Sequence, residues 1–483
     1  MTSSKRHMEN NMPGPSSPLE RRPRGEAVIA IFDVGKTNKK LLLFNEQYKL
    51  VHEECVQLEE TTDEDGFPCE NVNALTQWIK DVFKAVTNDS RFDVKAVNFS
   101  AYGASFVHLD NDFNVFLPLY NYLKPFPSQL QQQFYDSYGG VSKFAKQTAS
   151  PVLGNLNSGM QLYRLKYEKP EAFEQIKFSL HLPQYISHIL TSKVYSDITS
   201  VGCHTNLWDF QHNEYHRWVK QEGVASKLPP VLSCEKIAGY IHETVPVGAG
   251  LHDSSAALIP YLTAFTEPFI LLSTGTWCIS LNPFNRSLLT DLELHQDCLC
   301  FLSYQGTSIK ASRLFAGYEH EQQTKRLAAH FSKPQDYFST VKCDINILAR
   351  LQKPLKEKTA EDGTAMVQQS NFGQRDLHAF ADYETAYHQL IADIIVQQVR
   401  STKLVLKGSK VKQIFVDGGF SKNPVYMRLL AENFSDIEVY AAKVAQASSL
   451  GAALAMHQHW NKKSLPDNII ELKLYSLAQS EKS

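Results

Sequence analysis

From Ala27 onward the chain alternates apolar runs with polar turns and helical stretches. Val28-Ile29-Ala30-Ile31-Phe32 is a β-branched and aromatic run that ends at Asp33-Val34-Gly35. A second run, Leu41 to Phe44, follows the polar stretch Lys36 to Lys40, and Asn45-Glu46-Gln47 then turns the chain. The pattern predicts a strand, a tight polar turn and a second strand. Ala74 to Val86 carries helical spacing, with Trp78, Ile79, Val82 and Phe83 on one face, and Val94 to Phe99 is another short strand. Strands alternating with helices predict an α/β architecture with a largely buried sheet.

The same order restarts further on. Pro268 to Leu272 is an apolar run breaking into Ser273-Thr274-Gly275-Thr276, and Val411 to Val416 breaks into Asp417-Gly418-Gly419. Just before them, Ala256 to Thr266 reads first as a helix and then as a connection. The expected division is a tail over 1–25, a first half over 26–264 and a second over 265–483. Two halves that each open with a strand running into a glycine- and hydroxyl-rich turn imply a cleft between them. The tail holds prolines, serines and arginines and almost nothing apolar, so disorder is expected there. It lacks a stretch fit for a signal peptide, and Glu9 and Glu20 argue against a transit peptide.

Composition narrows the class. Of 483 residues 43% are hydrophobic and 21% charged, an ordinary globular balance. With 49 basic and 51 acidic side chains the net charge is −2, so no basic field draws the chain to nucleic acid or anionic lipid. The eight cysteines include no CxxC pair, which argues against zinc ribbons and thioredoxin-like redox sites. No apolar run approaches the ~18 residues that a membrane helix needs. The expectation is a cytoplasmic protein with no membrane or nucleic-acid partner; a homodimer is left open.

The turns carry the candidate chemistry. Gly35-Lys36-Thr37 ends like a P-loop, but position 30 is alanine and a strand follows, so that reading fails. A phosphate-holding hairpin is the alternative: Gly35 allows close backbone approach, while Thr37, Asn38 and Lys40 add donors and charge. Asp33 is placed to hold a magnesium ion through water. An ordinary hairpin with Asp33 bonded to its own turn has the same sequence signature. Gly275 and Thr276 offer a second phosphate contact. Gly418 and Gly419 offer a flat surface for an adenine ring, with Asn423 near its edge or capping the next helix. Val247 to Ser255 leads into an apolar helix, where Asp253 reads as an N-cap or as a carboxylate able to accept a proton from a hydroxyl.

Taken together these segments resemble the FGGY carbohydrate kinases, of the actin-like ATPase class. FDVGKTNKKLLLF is similar to the first phosphate motif of that family, and GLHDSSAALIPYL to its catalytic-aspartate segment. LLSTGTWCISL resembles the second phosphate motif, VDGGFSKNPVYMRLLAENF the adenosine motif, and VAQASSLGAALA the closing helix. The resemblance implies two ribonuclease-H-like domains with an interdomain cleft that closes on ATP, Mg²⁺ and a sugar. It implies Asp253 as general base and Asp33 as the magnesium-side carboxylate. Gly35, Thr37, Asn38 and Lys40 fall in the first phosphate loop, Gly275 and Thr276 in the second, and Gly418, Gly419 and Asn423 at adenosine. Gly103, Ser105, His252 and Asp253 fall on the sugar side. The rhamnulokinase and fuculokinase branch is the most similar, which implies a 6-deoxyketohexose; xylulose, ribulose, a polyol or a non-catalytic sensor are the alternatives.

Several positions depart from the family pattern. Lys36 stands where a small hydroxyl residue is usual. Gln161 and Arg164 replace a Lys and a Trp, and Gln446 replaces a frequent Glu. Leu119 to Lys124 lacks the usual Arg-Asp pair. Tyr102, Phe106 and Tyr122 are read as core aromatics.

Overall fold

The computed structural model describes residues 25–351, 372–444 and 446–475. The expected tail over 1–25 lies, but for its last residue, outside the described residues. The first half begins with an antiparallel meander of β1 (Glu26–Val34), β2 (Lys39–Asn45) and β3 (Leu50–Val56). Helix α1 (Val72–Asn88) leads back to β4 (Phe92–Ala101), which runs parallel to β1 on its other side. Helix α2 (Leu182–Thr191) precedes β5 (Ile237–Ile241), β6 (Val245–Gly248) and the short β7 (Leu251–His252). The sheet order is β5-β6-β4-β1-β2-β3, with β7 also on β4.

Helix α3 (Asp253–Ala264) ends the first half, and the plan then repeats. β8 (Phe269–Thr274) pairs antiparallel with β9 (Cys278–Asn282), beside β10 (Cys298–Leu302) and β11 (Ser308–Leu314). Helices α4 (Ala316–His330) and α5 (Tyr383–Leu406) lead to β12 (Gln413–Gly418), parallel to β8. Helix α6 (Pro424–Asn433), β13 (Glu438–Lys443), helix α7 (Ala447–Ala455) and β14 (Glu471–Tyr475) follow. The second order is β10-β11-β9-β8-β12-β13-β14. Each central strand, β1 or β8, has an antiparallel partner on one side and a parallel one on the other. This is the two-domain α/β plan expected of ribonuclease-H-like halves. No helix among the described residues is long and apolar enough to cross a membrane.

The expected elements are present, most of them slightly longer than predicted, while the run over Val411 to Val416 is shifted to Gln413–Gly418. Helix α1 extends over Val72–Asn88 because Asn71 caps it, accepting the Ala74 N–H at 3.0 Å. Ile79, Val82 and Phe83 are buried as expected, and Trp78 packs edge-on to Phe32 with ring centres 5.8 Å apart.

The continuous apolar runs divide between two cores because neighbouring strand residues point to opposite faces. Val28, Ala30, Phe32, Leu41 and Leu43 face helices α1 and α2, while Ile29, Ile31, Leu42 and Phe44 face the other way. In the second sheet Ile270, Leu272, Ile414 and Val416 face the outer helices, whereas Phe269, Leu271 and Phe415 face inward. The inward sets meet in one core filled by α3 and α7, so the two sheets share an apolar centre.

Helices α3 and α7 cross there at backbone distance. A Cβ on Gly451 would overlap the carbonyl oxygen of Ala256. Buried Asn98 of β4 donates to the Ala452 carbonyl at 2.8 Å and accepts the Gly250 N–H at 3.2 Å, tying α7 to the approach of α3. Gly451→Ala is expected to destabilise the protein by at least about 2 kcal/mol, because the obstacle is backbone and no rotamer relieves it. Urea unfolding followed by fluorescence measures this; a midpoint equal to the parent's would show that the helices part freely.

Candidate active site

The turn between β1 and β2 is a four-residue hairpin closed by the Gly35 N–H, which donates to the Asn38 carbonyl at 2.9 Å. That N–H is therefore spent within the turn. The amides of Lys36, Thr37 and Asn38 donate to no backbone or side-chain acceptor among the described residues, and Thr37 and Asn38 are exposed. Successive free amides of this kind form an anion-binding concavity. Buried Lys39 pairs with Glu70 at 2.9 Å and donates to the Lys36 carbonyl at 3.0 Å, which clamps the turn from beneath. Lys40 pairs with Glu53 at 2.9 Å and reaches Gln446 of the second half at 3.3 Å.

Asp33 ends β1 beside this turn. It does not bond its own turn; instead Ser448 and Ser449, in the first turn of α7, donate to its Oδ2 at 2.7 and 2.8 Å. Burial pushes its carboxyl above the usual range, the two serine hydroxyls pull it down, and the nearby charge of Asp253 raises it further. Its Oδ1 has no protein donor among the described residues. One carboxylate oxygen left free next to a second carboxylate suits a hydrated divalent cation, which keeps much of its water shell.

Asp253 comes from the strand end beside β4, where Leu251 pairs with Ser100 and His252 with Ala101. The N-cap of α3 is His252; Asp253 occupies the first helical position, and its Oδ1 accepts the Ser254 N–H at 2.6 Å and hydroxyl at 3.2 Å. The N-cap alternative for Asp253 is thereby corrected: no side chain caps this helix.

In the second half Thr274 joins the ends of β8 and β12. Its hydroxyl donates to the Asp417 carbonyl (2.5 Å) and accepts the Phe420 N–H (3.0 Å), while its carbonyl accepts the Gly419 N–H (2.8 Å). The two glycines differ. Gly418 has φ +90° and a Cβ there would overlap the Thr274 carbonyl, so the backbone requires glycine. Gly419 has φ −62° and a Cβ would meet nothing nearer than 3.8 Å. Its bare surface is not required by the fold. Gly275 and Thr276 are exposed at the same strand ends. Asn423 caps α6 through its Oδ1, at 3.1 Å from both the Val425 and Tyr426 amides, and its Nδ2 donates to the Tyr387 hydroxyl at 2.9 Å. Both ends of that side chain are occupied.

On the sugar side, Ser105 is 1% exposed and its hydroxyl is sealed from solvent. His252 is 4% exposed. Its Nε2 lies 3.2 Å from Asp253 Oδ1 and 3.1 Å from Cys203 Sγ. Gly103 packs on the same ring, where a Cβ would come within 2.8 Å of the imidazole. Burial holds the imidazole below its usual pKa, against the pull of Asp253. Phe106 is core as expected, but Tyr122 is only half-buried; burial raises its phenol pKa, and the charges of Asp253 and Glu60 add to that.

Sequence reading missed Ser448 and Ser449, although their signal was present: paired small hydroxyls opening the last apolar helix. It also missed Asp197, which accepts the Thr199 and Ser200 amides and the Thr199 hydroxyl; that hydroxyl accepts the His252 N–H at 3.0 Å.

The residues converge at the carboxyl ends of parallel strands in both sheets, the usual position of an α/β ligand crevice. Comparison with known proteins identifies the family and the fold. The profile for the N-terminal domain of the FGGY family of carbohydrate kinases matches residues 28–259, and that for the carbohydrate kinase FGGY C-terminal domain matches 266–464. L-fuculokinase of Escherichia coli (strain K12) is 22% identical over 466 residues, covering 89% of this chain and 92% of that protein. Rhamnulokinase of Bacteroides thetaiotaomicron is 26% identical over 224 residues, 43% of this chain and 44% of its own. The structure of a carbohydrate kinase from Novosphingobium aromaticivorans shares the fold with a TM-score of 0.72 at 22% identity, covering 94% of both chains. A ligand-bound xylulose kinase from Lactobacillus acidophilus gives 0.73 at 15% identity, covering 93% of this chain and 94% of its own.

Asp197 supplies a pH test. Burial pushes its carboxyl up to about 7, against the hydrogen bonds from Thr199 and Ser200. The folded state then keeps a proton that the unfolded chain releases near pH 4, so stability falls as pH rises from about 4 to 7. Asp197→Asn keeps the accepting oxygen and removes the titration. Between pH 5 and 8 the variant should gain more than about 1 kcal/mol relative to the parent. Chemical denaturation at both pH values checks this; parallel pH profiles would remove Asp197 as the source.

Proposed function

The chain belongs to the FGGY family of carbohydrate kinases, and we propose that it moves the γ-phosphoryl group of ATP to a hydroxyl of a ketose, a 6-deoxyketohexose of the rhamnulose or fuculose kind. A sugar phosphotransferase activity follows from the family; the sugar and the residue roles are the proposal. The observation that carries it is that Asp33 and Asp253 stand at the ends of strands on either side of β4, beside a hairpin of free amides. Similarity to proteins named L-fuculokinase and rhamnulokinase supports the sugar class.

In this reading Asp253 accepts the proton of the attacking hydroxyl as that oxygen bonds to the γ-phosphorus, and the bond to the β,γ-bridging oxygen breaks to release ADP. The free amides of Lys36, Thr37 and Asn38, with Lys40, Gly275 and Thr276, hold the phosphates. Gly418 and Gly419 leave room for adenosine beside Asn423. Transfer of this kind rests on positioning and charge neutralisation. Asp33 fits a magnesium ion, which when bound neutralises phosphate charge. His252, itself in contact with Cys203, positions the base.

Three measurements test the reading. Release of ADP should follow addition of fuculose or rhamnulose more strongly than xylulose, ribulose or glycerol; silence with all five would overturn it. Asp253→Asn keeps the accepting oxygen but not the base, so turnover should fall by about two to four orders of magnitude with an unchanged melting temperature. Near-normal turnover would place the base elsewhere. At the nucleotide surface, Gly419→Leu should fold normally and weaken ATP at least about tenfold, whereas Gly418→Ala should lose stability through its positive φ and its overlap with the Thr274 carbonyl. Equal ATP affinity in Gly419→Leu and the parent would refute the adenosine assignment.

A further inference from the structure

The imidazole next to the base is held by both halves of the molecule. His252 Nε2 lies 3.2 Å from Asp253 Oδ1 and 3.1 Å from Cys203 Sγ, while its Nδ1 is sealed and has no partner among the described residues. Burial holds the pKa of the ring below its usual value, so near neutral pH it carries a single N–H. On Nδ1 that proton would be a buried donor without an acceptor, and the Nε2 lone pair would face a carboxylate. On Nε2 it is donated to Asp253, so the bonding selects that tautomer. The bond lasts only while the ring plane keeps the N–H aimed at the oxygen.

That plane is set by packing from the second half. Buried Phe301 of β10 lies against the imidazole with ring centres 5.8 Å apart and 23° between the planes. His204, at φ +40° with its Nδ1 3.1 Å from the Leu156 carbonyl, meets both rings edge-on, 6.4 Å from His252 and 6.0 Å from Phe301. The edge bearing Nε2 rests on Gly103, where a Cβ would come within 2.9 Å of that nitrogen. Phe301 is itself pinned, because β10 is an edge strand docked on the first half. The Cys300 N–H donates to the Ala149 carbonyl at 2.8 Å and the Leu302 N–H to the Gly202 carbonyl at 3.1 Å. The Ser255 hydroxyl of α3 donates to the Leu302 carbonyl at 3.1 Å.

We propose that Phe301 is a positioning residue for the transfer, acting from the second half through His252 to keep Asp253 aimed at the attacking hydroxyl. The proposal rests on the sugar-kinase reading of this cleft. Phe301 holds the imidazole plane, and the plane directs the Nε2–H at Oδ1. That oxygen also accepts the Ser254 N–H and hydroxyl, whereas Oδ2 meets no donor among the described residues. Oδ2 is therefore the oxygen left to take the proton, and the bonds to Oδ1 fix where it points. A base that is present but misaligned slows transfer and leaves the binding of both substrates as it was.

The test is a double-mutant cycle on turnover. ADP release is followed with the best acceptor among fuculose, rhamnulose, xylulose, ribulose and glycerol, for the parent, Phe301→Met, His252→Ala and the double variant. Phe301→Met keeps an apolar side chain of similar volume but removes the flat ring. Its kcat is expected to fall about tenfold, with KM for ATP and for the sugar within about twofold of the parent values. In the His252→Ala background the same change should cost less than about twofold, because the ring it aligned is gone. Equal losses in both backgrounds, a loss carried by KM, or parent-like kcat in Phe301→Met overturns the proposal alone. Phe301→Leu takes the place of Phe301→Met in the cycle if melting curves show the latter unfolded. A parent silent with all five acceptors overturns the kinase reading and the proposal with it.

Discussion

The distance between the two halves is set where Gly451 rests on the carbonyl of Ala256. With no side chain between them, helices α3 and α7 approach backbone to backbone, and the apolar faces of both sheets close on the pair. That approach also aims the start of α7 at the first sheet, where Ser448 and Ser449 meet Asp33. A larger residue at 451 would push the serines off the carboxylate as surely as it would open the core. The site and the shared core thus depend on the same contact.

Charge in the cleft is arranged in depth. Lys39 and Glu70 are buried together under the phosphate turn, and such a pair contributes less to stability than to fixing one geometry above it. Asp33 is shielded but keeps hydroxyl donors on one oxygen only. Lys40 and Lys36 are progressively more open. The gradient runs from groups sealed beneath the turn to groups open at its face.

Much of this was readable in the chain itself. The β-branched runs ending in Asp33-Val34-Gly35, Ser273-Thr274-Gly275 and Asp417-Gly418-Gly419 mark strands that stop at polar turns, because local pattern and backbone preference both act over a few residues. Asn423 before Pro424 marked a helix start for the same reason. The separation of Val28, Ala30 and Phe32 from Ile29 and Ile31 into two cores was implicit in a strand period of two. What the pattern did not distinguish was which of two adjacent glycines the backbone needs, since Gly418 and Gly419 differ only in φ and in the distance to Thr274.

Burial of polar groups was decided elsewhere. Ser105 and His252 read as sugar-side residues in the sequence; in the fold Gly103 and Cys203 pack around the imidazole, and the Ser105 hydroxyl is withdrawn from solvent. Ser448 and Ser449 meet Asp33 across 415 and 416 residues. Local sequence determined the strands, the turns, their order and the chemical types available at each turn, because those follow from short-range periodicity and φ preference. Only the tertiary structure decided which of those groups face one another and which are sealed, because that depends on how two sheets close on one pair of helices, a long-range packing condition that no short segment carries.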